Sequence, residues 1–177
     1  ISNSHYNVDS VLINGAHHVT KGGLYATQYQ DWIADKALDI ADYRDSLTLN
    51  AGYYEIGTVQ GMKDLLGFAD NSTYMFRLTA DINLTAAPGL FVPYLAAAEF
   101  DGNGHTIANL YIDQPFNEFI GLFGRVASGS IVRNLGVVDA NIIGGGNWAL
   151  GALAGENSGT IDNAWSSGNV IGGDELW

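Results

Sequence analysis

The sequence has no cysteine and only three prolines among its 177 residues. Without cysteine the chain has neither disulfide bonds nor thiolate ligands, which excludes a disulfide-stapled scaffold and thiol redox chemistry. Basic side chains are also scarce, because seven lysines and arginines stand against 19 acidic residues, for a formal net charge of -12. This charge repels phosphate backbones and anionic lipid, so the composition argues against binding to nucleic acid or to membrane surfaces.

Long hydrophobic runs are missing as well. No stretch of 18 apolar residues occurs, and the first ten residues contain neither a basic region nor an apolar core of a signal peptide. We therefore expect no membrane insertion and no signal sequence within this chain. Because it begins in a polar stretch and ends at Trp177 just after a repeat, we interpret it as part of a longer protein.

Glycine and apolar residues, by contrast, are abundant. The chain has 23 glycines, and 47% of its residues are hydrophobic. This apolar content is typical of a folded chain rather than a disordered one. So many glycines with so few prolines indicate frequent tight turns.

The end of the chain contains an internal repeat. Residues 121–144 read GLFGRVASGSIVRNLGVVDANIIG, and residues 151–172 read GALAGENSGTIDNAWSSGNVIG. The first glycines and the isoleucines Ile131 and Ile161 match at a spacing of 30, whereas the last four residues match at a spacing of 28. A period of this length predicts stacked supersecondary units.

Each unit contains short apolar runs separated by Gly, Asn and Asp, which predicts three or four short strands per repeat. Stacked units would bury a continuous apolar core, so we predict a mainly β fold, a parallel β-helix. Asn109, Asn134 and Asn163 are expected at corners, where asparagine tolerates left-handed backbone. The repeat positions with predicted structural roles are Gly121, Gly124, Ile131, Asn134, Leu135, Gly151, Gly155, Ile161 and Asn163.

The upstream part divides into two segments. Residues 1–50 do not repeat, and the spacing of their apolar residues predicts a helix over 25–38. Residues 51–99 contain strand patterns and a short helix predicted over 59–68, and they lead into the repeats of 100–177. We expect the whole chain to form one structural unit.

Several sequence steps occur in the order of a known repeat. FDGNGHTIANLYI at 100–112, GLFG at 121–124 and SGTIDN at 158–163 follow one another. This region resembles the glycine-rich GLUG repeat of large bacterial surface proteins. The segment LTLNAGYYEIGTVQGMKDLLGFAD at 47–70 is similar to the lead-in of filamentous-haemagglutinin-type adhesins exported by two-partner secretion.

This resemblance implies a right-handed parallel β-helix and a non-catalytic role in attachment to host cells, other bacteria or a biofilm matrix. The implied partners are a surface receptor or glycan and, for the parent protein, an outer-membrane secretion transporter. The implied location is secreted or at the bacterial cell surface. We expect the chain to be a monomer.

A β-helix can also carry an enzyme active site, and two carboxylates offer that alternative. Glu99 and Asp101 are two residues apart, so on a strand they would share one face about 6 to 7 Å apart, in the range of glycosidase acid/base pairs. Asp101-Gly102-Asn103-Gly104 is, however, typical of a turn, and no Arg or Lys lies near it in sequence. We therefore predict no enzyme. The alternatives are a polysaccharide-active enzyme that uses Glu99 and Asp101, and a purely structural spacer.

Candidates for ligand binding are few. Asn147 and Trp148 belong to the glycine-rich loop at 144–148, where an exposed tryptophan could stack on a sugar. His17 and His18 lack further ligands at metal-binding spacing, and no Asp-rich calcium loop occurs. We predict no metal site and no cofactor.

Overall fold

The computed structural model of the chain describes residues 47–115, 118–145 and 149–173, which form a mainly β structure. The helix predicted over 25–38, and the non-repeating segment up to residue 46, lie outside the described residues. Within these residues the regular structure consists of short strands, one α-helix and one 3-10 turn. The strands are β1 (Thr48–Asn50), β2 (Tyr53–Ile56), β3 (Met75–Leu78), β4 (Ile82–Asn83), β5 (Val92–Leu95), β6 (Glu99–Asp101), β7 (Thr106–Ala108), β8 (Tyr111–Gln114), β9 (Phe119–Ile120), β10 (Phe123–Val126), β11 (Ile131–Arg133), β12 (Gly136–Gly144), β13 (Ala149–Leu150), β14 (Ala154–Asn157), β15 (Thr160–Asp162) and β16 (Trp165–Ile171).

The helices are α1 (Val59–Leu65) and the 3-10 turn Leu84–Ala86. The sequence predicted α1 over 59–68, and it begins at the predicted residue but ends three residues earlier. The Thr58 hydroxyl caps its start by accepting from the backbone N–H of Gly61 at 3.0 Å. After Leu65 the backbone N–H groups bond three residues back instead of four, which closes the helix in a tight turn.

Consecutive strands of one repeat enter different sheets, and each pairs with the strand about one repeat away. The first sheet has the order β1-β2-β3-β6-β11-β15, the second β5-β10-β14, and the third β4-β7-β12-β16 with β8 also beside β12. A fourth pair joins β9 to β13. All these ladders are parallel except β1 with β2, so the chain forms a curled, mainly parallel β structure.

The core lies between these sheets. Phe76, Phe100 and Val132 are inward neighbours on β3, β6 and β11 of the first sheet, and all three are fully buried. The Phe100 ring lies edge-on to that of Phe123 on β10 of the second sheet, with 5.2 Å between centroids. The two sheets therefore pack against each other through aromatic and aliphatic side chains.

The register of the repeat differs by one residue from the sequence match. Ile131 pairs with Thr160, whereas Val132 pairs with Ile161. Val132 is fully buried and Ile131 is 36% exposed, so the inward position belongs to Val132. The match of Ile131 with Ile161 is corrected accordingly.

The reason lies in the corners. Four residues, 127–130, separate β10 from β11, but only two, 158–159, separate β14 from β15. The sequence match places its single gap after Ile131, so it does not show this difference in corner length. The match at the end of the repeat is confirmed, because Asn141 pairs with Asn169 and Ile143 with Ile171 at a spacing of 28.

Candidate functional site

The two candidate carboxylates lie on β6, on either side of the inward Phe100. Strand alternation places Glu99 and Asp101 on the same outer face, as the sequence predicts. They are nevertheless only 9% and 4% exposed. Side chains from β2, β3 and β11 cover them, and we call Tyr53, Arg77, Glu99, Asp101 and Arg133 the carboxylate cluster.

Glu99 is held by a phenol and a guanidinium. The Tyr53 hydroxyl donates to Glu99 Oε1 at 2.7 Å, and Arg133 Nη2 contacts the same oxygen at 2.7 Å. The hydrogen bond to Glu99, and then burial and the charge of Glu99, raise the pKa of Tyr53. The phenol therefore keeps its proton and acts as a donor.

Asp101 receives donors on both oxygens. Its Oδ1 accepts from the backbone N–H of Asn103 at 2.8 Å and from Asn134 Nδ2 at 3.0 Å. Its Oδ2 lies 3.3 Å from Arg77 Nε and 3.6 Å from Arg133 Nη2. Burial by itself would raise the pKa of Asp101, but these hydrogen bonds and positive charges outweigh it and lower the pKa below its usual value.

The pKa of Asp101 and the position of Arg133 bear on whether the two carboxylates could act as a glycosidase acid/base pair. The general acid of a glycosidase needs a pKa raised towards the pH of the reaction, whereas the pKa of Asp101 is lowered. Glu99 and Asp101 also share Arg133 as a partner, so the guanidinium occupies the space between the two carboxylates. The geometry fits a structural ion-pair cluster better than an acid/base pair.

The cluster belongs to a longer row of alternating charge. Along the first sheet, register neighbours on the outer face are Glu55, Arg77, Asp101, Arg133 and Asp162. Each acidic residue thus has a basic residue on a neighbouring strand. The sequence does not reveal this row, because consecutive members are 22 to 32 residues apart along the chain.

A row of amides runs beside the charges. Asn163 Nδ2 donates to Asn134 Oδ1 at 2.8 Å, and Asn134 in turn donates to Asp101. Asn134 and Asn163 have φ angles of 52° and 47° at their stacked corners, and Asn109 has a φ of 58° at the separate corner between β7 and β8. All three adopt the left-handed conformation expected of asparagine at a corner. Stacked corners with the same conformation let one amide bond to the next.

The remaining repeat positions lie where backbones approach closely. A Cβ added to Gly121 would lie 2.6 Å from the carbonyl oxygen of Gly151, and one added to Gly155 would lie 2.7 Å from that of Gly124. Leu135 is buried in the core between β11 and β12. The close backbone contacts explain why glycine stands at 121 and 155, where a side chain would collide.

The other predicted ligand-binding residues, Asn147 and Trp148, lie outside the described residues, as do His17 and His18. Within the part of the chain that the structure describes, no group of three or more His, Cys, Asp or Glu side chains could hold a metal ion.

A shallow groove of about 330 Å³ lies on the outer face of the third sheet. Its walls come from the 3-10 turn, the corner between β7 and β8, and the bend in β12. The groove is not evident in the sequence, since its three parts are separated by one repeat each. The one available signal was Tyr111, an aromatic residue on the outer face of β8. The residues that line the groove include Leu84, Thr85, Pro88, Tyr111, Asp139 and Asn141.

Comparison with known proteins gives two partial relatives. Halomucin of Haloquadratum walsbyi is 30% identical over 156 residues, which cover 75% of this chain and 2% of halomucin. A protein of Evansella cellulosilytica named "Putative Gly-rich membrane protein" is 37% identical over 100 residues, which cover 51% of this chain and 12% of that protein. The chain therefore spans only a small part of each relative.

No protein-family model matches the chain, and no solved structure matches it. Among the helices of the described residues, none has both the length and the apolar composition needed to cross a bilayer. The chain is thus similar over part of its length to segments of two much longer proteins.

Proposed function

We propose that this chain is a non-catalytic segment of a secreted or surface-exposed bacterial adhesin. Its curled sheets would close into a right-handed parallel β-helix of the GLUG type. The helix would present a binding surface for attachment to host cells, other bacteria or a biofilm matrix. The parent protein would reach the surface through an outer-membrane secretion transporter, as in two-partner secretion.

One observation carries this proposal, namely that each strand of a repeat pairs in parallel with its equivalent in the next repeat. β10, β11 and β12 pair with β14, β15 and β16 on one side, and with β5, β6 and β7 on the other. Stacking of this kind produces a rod whose length grows with the number of repeats. The right-handed sense is supported by the strong preference for right-handed connections between parallel strands of one sheet.

Two further observations support a surface role. The chain matches small parts of two much longer proteins, which is compatible with a segment of a large, extended molecule. Its net charge of -12 and its apolar content favour a folded, well-solvated surface rather than binding to nucleic acid.

Attachment can be tested directly with the isolated chain. Beads coated with the purified chain are applied to cultured animal cells, bacterial lawns and preformed biofilms, and bound beads are counted after washing. The matched control is Leu135→Asp, which places a charge in the core and should abolish folding. We expect native-chain beads to bind at least one surface several-fold more than control beads. Equal binding on every surface would overturn the adhesin proposal and leave a structural spacer.

The shared face of Glu99 and Asp101 is the observation that favours the alternative of a polysaccharide-active enzyme. Incubation with a panel of acidic and neutral polysaccharides, followed by reducing-end analysis, tests it. Turnover that disappears in Asp101→Asn would support the enzyme. We expect no turnover by either protein, since donors from Arg77, Asn134 and Arg133 already occupy Asp101.

A further inference from the structure

The groove on the third sheet joins three levels of the stack. The turn after β4 supplies Thr85 and Pro88, the next repeat supplies Tyr111, and the bend in β12 supplies Asp139. Its volume of about 330 Å³ is at the lower end of the range for small-molecule clefts, roughly 300 to 1,000 Å³. It is open to solvent and lies away from the carboxylate cluster, which belongs to the first sheet.

The groove has a firm apolar floor. Leu84 and Leu110 are buried beneath it, and the Tyr111 ring stands on the outer face with 40% of the residue exposed. The backbone carbonyl of Tyr111 accepts from the N–H of Gly89 at 2.8 Å, which ties the Pro88 loop to β8. An exposed aromatic ring on a fixed strand offers a flat apolar surface on which a ligand can stack.

Polar groups surround this ring in fixed positions. Asn83 Oδ1 accepts from the Thr85 hydroxyl at 2.6 Å and from Asn109 Nδ2 at 3.1 Å, which fixes that side of the groove. Asn141 is the register neighbour of Tyr111 on the adjacent strand, about 4.8 Å along the stack. Asn141 and Tyr111 thus occupy equivalent positions on neighbouring strands, and both line the groove.

Asp139 completes the rim. Its φ of 53° turns the chain at the bend in β12, and its backbone N–H donates to Ser167 Oγ at 3.2 Å. Its carboxylate makes no hydrogen bond or ion pair with another residue in the ranges 47–115, 118–145 and 149–173. An exposed acceptor close to an aromatic ring is suited to the hydroxyl groups of a ligand.

We infer that this groove binds a neutral sugar ring of a glycan or polysaccharide, an inference that rests on the attachment function proposed above. The apolar face of a sugar ring would stack on Tyr111, and its hydroxyls would donate to Asp139 and exchange hydrogen bonds with Asn141. The residues that line the groove include no Lys or Arg, so an anionic sugar or a phosphate would meet Asp139 without a compensating positive charge.

The test is titration of the isotope-labelled chain with neutral oligosaccharides of glucose, galactose, mannose and N-acetylglucosamine, followed by NMR chemical shifts. We expect saturable binding of at least one oligosaccharide, with the largest shifts at Tyr111 and its neighbours. Tyr111→Ala should weaken this binding at least tenfold. The matched control is Tyr94→Ala, since Tyr94 on β5 of the second sheet is 39% exposed, close to the 40% of Tyr111.

Three results would overturn the sugar site: no saturable binding, equal weakening by both substitutions, or shifts confined to residues distant from the groove. The bead assay separates this failure from failure of the adhesin proposal. Attachment by Tyr111→Ala beads at the native level, without sugar binding by the native chain, would reject the groove and retain attachment. Sugar binding without attachment to any surface would retain the groove and reject the adhesin.

Discussion

Asn134 connects the conformation of a corner with the charges beside it. Its φ of 52° is left-handed, and its side chain donates to Asp101 and accepts from Asn163. Asn134→Ala would remove both hydrogen bonds, at about 0.5 to 1.5 kcal/mol each. It would also place alanine in a conformation that costs roughly 1 to 2 kcal/mol. We expect urea unfolding to give a free energy of unfolding lower by about 2 to 5 kcal/mol.

Asn134→Gly is the control for the backbone part of this loss. Glycine accepts positive φ without strain but loses the same two hydrogen bonds, so we expect about half the destabilisation of the alanine variant. If the two variants lose the same free energy of unfolding, the left-handed backbone at this corner imposes no cost on alanine.

Asp101 gives the chain a predictable dependence on pH. Despite burial, hydrogen bonds from Asn134 and Asn103 and the charges of Arg133 and Arg77 lower the pKa of Asp101 in the folded chain. Such a group stabilises the fold above its unfolded pKa of about 3.9, and this stabilisation is lost as the pH falls through the folded pKa. We therefore expect the free energy of unfolding to fall more steeply from about pH 5 to about pH 2 in the native chain than in Asp101→Asn.

Urea unfolding at several pH values measures this difference. Asp139→Asn serves as the control, because it removes a carboxylate from outside the cluster and keeps a residue that tolerates positive φ. A native curve no steeper than that of Asp101→Asn would contradict the assigned direction of the pKa shift.

At the scale of the strand, β11 provides a direct test of register. Ile131 faces outwards and Val132 is fully buried, although both are β-branched and adjacent. Ile131→Thr introduces the residue type that its neighbour Thr160 already has, so we expect a loss below about 1 kcal/mol. Val132→Thr buries a hydroxyl in the core and should cost about 1 to 3 kcal/mol. Thermal and urea unfolding compare the two, and a larger loss for Ile131→Thr would favour the register expected from sequence alone.

β11 also shows which features of the fold could be predicted from the sequence. Apolar runs between Gly and Asn corners predicted short strands, and the φ angles of Asn134 and Asn163 are as expected. The match of Ile131 with Ile161 was one position off, because corners of four and two residues cannot be distinguished by matching two short motifs. Because side chains alternate along a strand, an error of one residue in register assigns each side chain to the opposite face of the sheet.

The carboxylate cluster marks a second limit. Strand geometry predicted that Glu99 and Asp101 share a face, but it could not name their partners. Tyr53 is 46 residues from Glu99, and Arg133 is 32 residues from Asp101, so only the stacking of repeats brings them together. The groove at Tyr111 was missed for the same reason, because each of its walls belongs to a different repeat.

At the scale of the whole molecule, the stacked register predicts that complete repeats are removable units. Deleting residues 121–150 joins Ile120 to Gly151, which is the counterpart of Gly121 one repeat on, and would place β14 and β15 beside β5 and β6. We expect a folded chain with a β-type circular dichroism spectrum and a lower melting temperature. Deleting 121–135 removes β10 and β11 but leaves β12, which interrupts the first and second sheets while the third continues, so we expect no cooperative unfolding.

The row of alternating charges on the first sheet allows a second test of the complete deletion. The complete deletion removes Arg133 and brings Asp162 beside Asp101, which places two negative charges on neighbouring strands. Adding Asp162→Arg should therefore raise the melting temperature of the shortened chain. Equal behaviour of the complete and partial deletions, or no effect of Asp162→Arg, would count against independent stacking units.

The alternating charges on the outer face of the first sheet also limit how copies of this chain can aggregate. Fibrils commonly form when identical segments from many molecules stack as parallel strands in register. In such a stack, Asp101 would lie beside Asp101 and Arg133 beside Arg133 of the next molecule, so every attraction along the native row would become a repulsion. Within one molecule, neighbouring strands have different sequences and opposite charges meet. The same residues that align consecutive repeats therefore oppose fibre growth by self-templating strands.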